Sequence, residues 1–262
     1  MNRKSAIAAL LAVSGSVHAA LQPGDLAFTA FNADEDGFAL VALRNVAPFT
    51  TVHFSDNEWN GGAPGVGSFN TGESTFAWVS GSEMLAAGTV VRFEAIDQAA
   101  RASSVGAFTI LVSGSPGFAA TGDTLFAYET GATGAPTGLI AAISSENFAG
   151  SNLAGTGLAT GVNAVAIASG ADFGEYSGIR SGLGSFPAYA GVINDPANWT
   201  AFATGEFAAT IPNLTPFSVA AVPEPQTYAL LLTGVGLIAF RLRDRGRKRA
   251  PIAVARPALR LA

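Results

Sequence analysis

The sequence contains no cysteine and little charge, and each shortage excludes whole classes of protein. Without cysteine the chain cannot form disulfides, thiolate metal sites or a cysteine nucleophile. Charged residues make up 13% of the 262 residues, about half of what an ordinary soluble domain carries. Glycine and alanine supply the excess, and 31 residues are Gly. A domain of this composition has to fold on its hydrophobic core alone.

Lysine is missing from the central part of the chain. Residues 20–222 contain four arginines, no lysine and 17 acidic residues, which gives a net formal charge of −13. Such a body repels phosphate backbones, so nucleic acid is not expected as a partner. The absence of lysine also excludes Schiff-base chemistry, and no Gly-x-Ser-x-Gly or phosphate-binding loop is present.

Histidine is equally scarce, since His53 is the only one in that stretch. A His-rich metal site is therefore excluded. The alternation of residues 51–55 predicts that His53 shares an outward face with Thr51 and Ser55. This favours a solvated strand histidine over a catalytic base.

The first 19 residues have the pattern of a secretory signal peptide. Residues 1–4 form a basic head and residues 6–13 are apolar. Small residues follow, so cleavage is expected between Ala19 and Ala20. The alternative is a buried helix of the fold.

A second apolar segment, residues 227–240, is interpreted as a single transmembrane helix. Fourteen residues fall short of the ~20 that cross a bilayer, so alone the segment is more typical of a core helix. The residues on either side of the segment favour the interpretation as a transmembrane helix. Pro223 and Pro225 impose an extended chain before it. A basic cluster after it is expected to hold its end in the cytoplasm: Arg241, Arg243, Arg245, Arg247, Lys248 and Arg249.

These features resemble the PEP-CTERM family of sorting tails over residues 222–249. The family's Val-Pro-Glu-Pro pattern is present as Val222, Pro223, Glu224 and Pro225. The resemblance implies export by the general secretory machinery of a Gram-negative bacterium and transient retention in the inner membrane. It also implies processing near the two prolines by an exosortase, an integral-membrane cysteine transpeptidase-like enzyme. Permanent anchoring through an uncleaved helix is the alternative.

Two further expectations concern the tail. Residues 250–262 extend beyond the basic cluster, where such proteins usually stop, and are expected to be disordered. The family is associated with exopolysaccharide and biofilm matrix, so extracellular polysaccharide is a candidate partner.

Residues 20–221 are predicted to form an exported all-β domain, a β-sandwich, because short apolar runs alternate with turn residues about every ten positions. The fold class is therefore all-β, flanked by a signal helix and a transmembrane helix. Strands are predicted at 26–31, 38–44, 51–55, 75–79, 89–96, 107–112, 124–128, 139–143, 164–168, 199–202 and 214–219.

Three patterns refine this prediction. In residues 89–96 Val91 and Phe93 are expected to face the core while the alternating charged residues face out. Residues 38–43 are apolar on both faces, as in a central strand covered on each side. Residues 114–161 are rich in small residues, so weaker strands and long loops are expected there. A Gly-Asp pair precedes two of the predicted strands, at 24–25 and 122–123.

The body also resembles a family of exported bacterial β domains related to lamin-tail-like modules. The matching pieces include residues 24–31 (GDLAFTAF), 51–59 (TVHFSDNEW) and 193–200 (INDPANWT). The resemblance implies no established activity. It favours an adhesive or matrix role.

Calcium is the small ligand that the sequence favours. Asn32, Asp34 and Asp36 place oxygen side chains at alternate positions before Gly37, as in the first half of a calcium loop. The distal glutamate is missing, and the alternative is a polar hairpin. Residues 56–59 can add oxygens if the loops converge.

Two alternatives remain open for the body. Trp59 and Trp199 lie beside turns and are candidates for a sugar-stacking surface, while Trp78 lies within a strand and is expected in the core. Anchoring of the core is the alternative for all three. We expect an exported surface or matrix protein without catalytic activity or a required cofactor. The alternative is a secreted hydrolase acting on polysaccharide or phosphoester through paired carboxylates.

Overall fold

The computed structural model describes residues 20–64, 69–119, 122–149, 153–221 and 225–247. The predicted signal peptide and the predicted disordered tail lie outside these residues. The chain divides into two compact units, Met1–Ala220 and Ala221–Ala262.

The described part of the first unit is built mainly of β-strands, as the sequence predicts. In chain order they are β1 (Leu26–Asn32), β2 (Gly37–Ala42), β3 (Thr51–Ser55), β4 (Thr75–Val79), β5 (Val90–Glu94), β6 (Ala102–Ser103), β7 (Ala107–Val112), β8 (Thr124–Thr130), β9 (Pro136–Ser144), β10 (Ala164–Ala166), β11 (Phe173–Tyr176), β12 (Ser181–Leu183), β13 (Trp199–Phe202) and β14 (Ser218–Val219). A short helix α1 (Tyr189–Ile193) and a 3-10 turn (Pro196–Asn198) precede β13. The described part of the second unit contains one helix, α2 (Pro225–Arg247).

Two six-stranded sheets contain most of these strands. The first has the order β13-β11-β1-β2-β5-β6 and the second β10-β9-β8-β3-β4-β7. Strands β12 and β14 form a small separate pair. Neighbouring strands are antiparallel except for the β9–β10 and β12–β14 pairs. The two large sheets are largely antiparallel, as expected for a sandwich.

Aromatic rings from both sheets meet in the main core. Phe38 of β2 stacks on Phe93 of β5 with ring centroids 4.4 Å apart, and it lies 5.0 Å from Phe54 of β3. Trp78 of β4 contacts Phe93 edge-on at 5.7 Å. Because β2 and β5 belong to one sheet and β3 and β4 to the other, these contacts join the sheets face to face. The packing is that of a β-sandwich.

Strand β2 is covered on both faces, which confirms the prediction from its continuous apolar pattern. Phe38 and Leu40 belong to the core between the sheets. Ala39 and Val41 face the opposite way, into a second apolar cluster. That cluster is completed by residues from later in the chain: Tyr176, Tyr189, Ile193 and Phe217.

The alternation of β5 is also confirmed. Val91 and Phe93 are fully buried in the main core. Arg92 lies on the other face and forms ion pairs with Glu35 and with Glu94, the latter at 2.6 Å.

Some strands differ from the predictions. Strands β6, β11 and β12 have no predicted counterpart, and predicted strand 214–219 is reduced to β14. In β11 the periodic pattern is interrupted by Gly174, where a Cβ atom would lie 2.7 Å from Ile167 Cδ1. The expectation of weak strands in 114–161 is wrong for β8 and β9, which have 7 and 9 residues. Their alanines are small enough to pack closely in the buried middle of the sheet.

Candidate functional site

The second unit contains the predicted sorting motif. Helix α2 begins at Pro225, a favoured position because the first-turn N–H groups have no helical partner. It has 23 residues and so extends beyond the predicted segment 227–240. Val222, Pro223 and Glu224 lie outside the described residues.

Apolar side chains on α2 are exposed. At 100° per residue they point in all directions around the helix axis: Tyr228, Leu230, Leu231, Leu232, Val235, Leu237, Ile238, Phe240 and Leu242. Of the predicted basic cluster, Arg241 and Arg243 are exposed on the helix, and the helix continues through Arg245 and Arg247. Lys248 and Arg249 lie outside the described residues.

The prediction of a transmembrane helix is not supported. In the described ranges no helix is both long enough and apolar enough to cross a membrane. The physical reason lies in the length of the apolar segment: residues 227–240 rise about 21 Å, against a hydrocarbon core of about 30 Å.

The predicted signal cleavage position lies directly before the fold. Ala19 is outside the described residues and Ala20 is exposed. Leu21 is buried, and its N–H donates to Glu129 Oε1 at 3.1 Å. The described fold therefore begins to bury side chains at Leu21.

The three predicted calcium ligands form hydrogen bonds with the backbone. Asn32 Oδ1 accepts from the N–H groups of residues 34 and 35, each at 3.1 Å, and thereby closes the β1–β2 turn. Asp34 Oδ2 accepts from Phe207 N at 2.7 Å, and Asp36 Oδ1 accepts from Phe118 N at 2.6 Å. These contacts fit the polar-hairpin alternative. Calcium binding by this loop stays a prediction.

A group of carboxylates that the sequence does not place together lies at the end of the second sheet. Asp56 follows β3, Glu73 shortly precedes β4 and Asp123 directly precedes β8, and these three strands are neighbours in the sheet. Asp56 Oδ1 accepts from Ser74 N at 3.1 Å, and Asn57 Oδ1 accepts from Glu73 N at 3.1 Å. Residues 56–57 are thus joined directly to residues 73–74.

Burial and mutual repulsion raise the pKa values of these carboxylates. Burial raises the pKa of Asp56 to about 8, and the charges of Asp123 and Glu73 add to this effect. Burial also raises the pKa of Glu73 to about 7 and that of Asp123 to about 6. The charges of Glu58 and Glu146 contribute to both shifts. Carboxylates with pKa values near neutrality can hold protons or bind a cation.

No group of three His, Asp or Glu side chains that could hold a metal is present in the part of the chain that the structure describes. A cation bound here would therefore need neutral oxygens as well as carboxylates. Asp123 is already engaged, because its Oδ1 accepts from Thr124 N at 2.9 Å and its Oδ2 accepts from Ala119 N at 3.0 Å.

His53 lies on β3 in a more enclosed position than predicted. It is half-buried, its ring centroid is 5.5 Å from that of Tyr128, and its Nδ1 has no hydrogen-bond partner. Burial lowers the pKa of His53, which favours the neutral imidazole. Ser55, expected to face outward, is buried, and its hydroxyl donates to Ser74 O at 3.3 Å.

The tryptophans are anchors of the fold. Trp78 is fully buried, as predicted, and its Nε1 donates to Val105 O at 2.7 Å. Trp59, a candidate for a sugar-stacking surface, is also buried and packs against Phe69. Trp199 is half-buried, with Nε1 donating to Ile193 O at 2.7 Å. Because Trp59 is buried, the predicted stacking surface is not formed.

One open depression of about 670 Å³ lies elsewhere on the body. Apolar side chains such as Leu21, Leu43 and Phe186 line it. Its lining contains a single carboxylate, Asp25, which pairs with Arg44 at 3.4 Å. The two-carboxylate arrangement of a glycosidase is therefore absent from this lining.

Comparison with known proteins bears on the second unit. Residues 221–248 match the PEP-CTERM protein-sorting motif. The chain matches no curated protein and no solved structure. The motif implies an exosortase-targeted surface protein and suggests export to the cell envelope or surface. The resemblance of the body to lamin-tail-like modules finds no support in these comparisons.

Proposed function

We propose that this chain is a non-enzymatic component of the extracellular matrix, delivered by signal-peptide export and released by an exosortase. The observation that carries the sorting part is the PEP-CTERM match over residues 221–248. The matrix part follows from the family's association with exopolysaccharide and biofilm. The acidic, lysine-free body is the part that remains outside the cell.

The position of the motif supports processing without damage to the fold. The last strand of the body is β14, and Ala220 N donates to Leu183 O at 2.8 Å just beyond it. The Val-Pro-Glu-Pro motif follows, and its last residue, Pro225, is the first residue of α2. Because Pro223 has no N–H, it cannot extend a strand ladder or a helix at this point. Cleavage within 222–225 leaves every described strand on the released protein.

The exposed apolar surface of α2 supports a transient association with the inner membrane before processing. Apolar side chains favour contact with lipid. Signal cleavage after Ala19 leaves in place Leu21, the first buried residue in the part of the chain that the structure describes. The mature protein then runs from Ala20 to the exosortase site.

Mass spectrometry of the intact protein tests this proposal. The full chain is expressed in a Gram-negative host with an exosortase and in the same host lacking it. We expect a mature species beginning at Ala20 and ending within 222–225 in the first host, and retention of α2 in the second. Glu224→Ala should reduce processing, whereas Glu206→Ala, at an exposed loop position outside the motif, should not. If α2 stays on the protein when exosortase is active, sorting by cleavage is wrong.

A further inference from the structure

We propose that Asp56 and Glu73 bind a divalent cation, calcium, at the end of the second sheet. This site is distinct from the sorting motif and from the β1–β2 turn. The proposal does not depend on the exosortase.

The backbone brings the two carboxylates together. The 3.1 Å hydrogen bonds from Ser74 N to Asp56 Oδ1 and from Glu73 N to Asn57 Oδ1 tie the segment after β3 to the segment before β4. Asn57 is itself held, since its Nδ2 donates to Ser55 Oγ at 3.0 Å and to Ser74 O at 3.3 Å. The two acidic side chains therefore start from adjacent, fixed positions.

Each carboxylate has one oxygen atom without a partner. Asp56 is only 2% exposed, and its Oδ2 is buried and makes no hydrogen bond. The Oε2 atom of Glu73 is also buried and also makes no hydrogen bond. An unsatisfied buried carboxylate oxygen is strongly unfavourable. A cation between these oxygens would remove that cost for both.

Among the described residues, no side chain forms an ion pair that would neutralise these two carboxylates. Asp56 and Glu73 make no ion pair in the described structure, and Asp123, Glu58 and Glu146 add negative charge around them. The four arginines of the body bind elsewhere: Arg44 to Asp25, Arg92 to Glu35 and Glu94, Arg101 to the Ile96 carbonyl, and Arg180 to the Thr215 and Tyr176 carbonyls.

The chemistry of the donors points to calcium. Calcium takes six to eight oxygen ligands in flexible geometry, including amide and backbone carbonyl oxygens and water. The unpartnered oxygens of the two carboxylates, completed by water, meet that requirement without a third acidic ligand. Magnesium demands a stricter octahedron, and zinc prefers nitrogen and sulfur donors. Asp123, with both oxygens bonded to backbone N–H groups, contributes charge rather than coordination.

Calcium chloride titration of the full chain, stripped with EDTA, tests the proposal by thermal unfolding and calorimetry. We expect Tm to rise by several degrees at about 10 mM calcium, as for an extracellular site of millimolar affinity or better. Asp56→Asn and Glu73→Gln should each abolish most of the rise. Glu83→Gln, at an exposed position, and Asp34→Asn, in the β1–β2 turn, should retain it.

Four outcomes would overturn the proposal. The first is an unchanged Tm and no binding heat at 10 mM calcium for the unsubstituted protein. The second is a full calcium response in both Asp56→Asn and Glu73→Gln. The third is a response lost only in Asp34→Asn, which would place the ion in the β1–β2 turn. The fourth is an equal response to magnesium chloride. Circular dichroism checks that the variants are folded, and Asp56→Asn should be at least as stable as the unsubstituted protein in EDTA.

Discussion

Asp25 and Asp123 occupy equivalent positions at the starts of two hairpins, β1–β2 and β8–β9. The backbone carbonyl of Asp25 accepts from Leu43 N at 2.8 Å, and that of Asp123 accepts from Ser145 N at 2.8 Å. Each aspartate follows a glycine with positive φ, +89° at Gly24 and +129° at Gly122. The Gly-Asp pairs of the sequence thus mark one local structure used twice.

The charges that accompany these two aspartates differ. Arg44 directly follows Leu43 and pairs with Asp25 at 3.4 Å. Glu146 occupies the corresponding position after Ser145, and its charge raises the pKa of Asp123. One end of the sandwich therefore has a balanced pair, and the other has an excess of negative charge.

Replacing Glu146 by arginine should reproduce the balanced arrangement. Glu146→Arg removes a like charge near Asp123 and offers it a cation, so we expect stabilisation of about 1 kcal/mol at pH 8 without calcium. Urea unfolding measures the change. Glu83→Arg makes the same change of charge at an exposed position, and a gain as large as that of Glu146→Arg would contradict the local explanation.

The group of three carboxylates should make the stability of the fold depend on pH. The folded pKa values of Asp56, Glu73 and Asp123 are about 8, 7 and 6, above the ordinary values of 3.8 to 4.5. The folded state therefore keeps protons that the unfolded state releases, and this contribution to stability is lost as pH rises through those values. In EDTA we expect a Tm several degrees lower at pH 8 than at pH 5.

Asp56→Asn is the matched variant for this pH profile. It should raise Tm at pH 8 and flatten the profile, because asparagine carries no charge at any pH. If the slope between pH 5 and pH 8 is unchanged in Asp56→Asn, another group controls it.

The ring cluster between the sheets predicts a large cost for one core substitution. Phe38 is 1% exposed, stacks on Phe93 of the same sheet and contacts Phe54 across the sandwich. Phe38→Ala should cost about 3–5 kcal/mol of unfolding free energy, from lost burial and the cavity that remains. Phe49→Ala, at a side chain 66% exposed, should cost under about 0.5 kcal/mol. Denaturant unfolding of both variants checks the difference, and similar values would contradict it.

Two glycines with nearly the same positive φ angle allow the cost of backbone strain to be measured separately from the cost of steric crowding. Gly106 has φ +77° and Gly134 has φ +79°. A Cβ at Gly106 would lie 2.2 Å from Val79 O and 2.9 Å from Trp78 Nε1, whereas nothing lies within 4 Å of one at Gly134. Gly134→Ala should cost about 1–2 kcal/mol, the left-handed conformation alone.

Gly106→Ala should cost more than Gly134→Ala, because the backbone has to move away from β4. Tryptophan fluorescence should also change, since Trp78 Nε1 donates to the neighbouring Val105 carbonyl. Equal unfolding free energies for the two variants would show that the crowding at Gly106 is relieved without cost.

Much of the fold could be predicted because its signals are local. The alternation of β5 and the two-faced apolar run of β2 depend on residues one or two positions apart. Strand β11 was not predicted because Gly174 has no side chain to continue the alternating pattern. A larger residue at this position would clash with Ile167, and only the folded chain brings these two residues together.

The sorting motif is a contiguous stretch, residues 221–248, so the amino-acid sequence alone determines it. The sequence likewise determines the absence of cysteine and lysine from the body. The carboxylate site, in contrast, is not a contiguous stretch of sequence. Asp56, Glu73 and Asp123 are far apart along the chain, and they meet because β3 pairs with both β4 and β8. Only the tertiary structure decides that pairing, since it depends on which apolar faces bury each other across the sandwich.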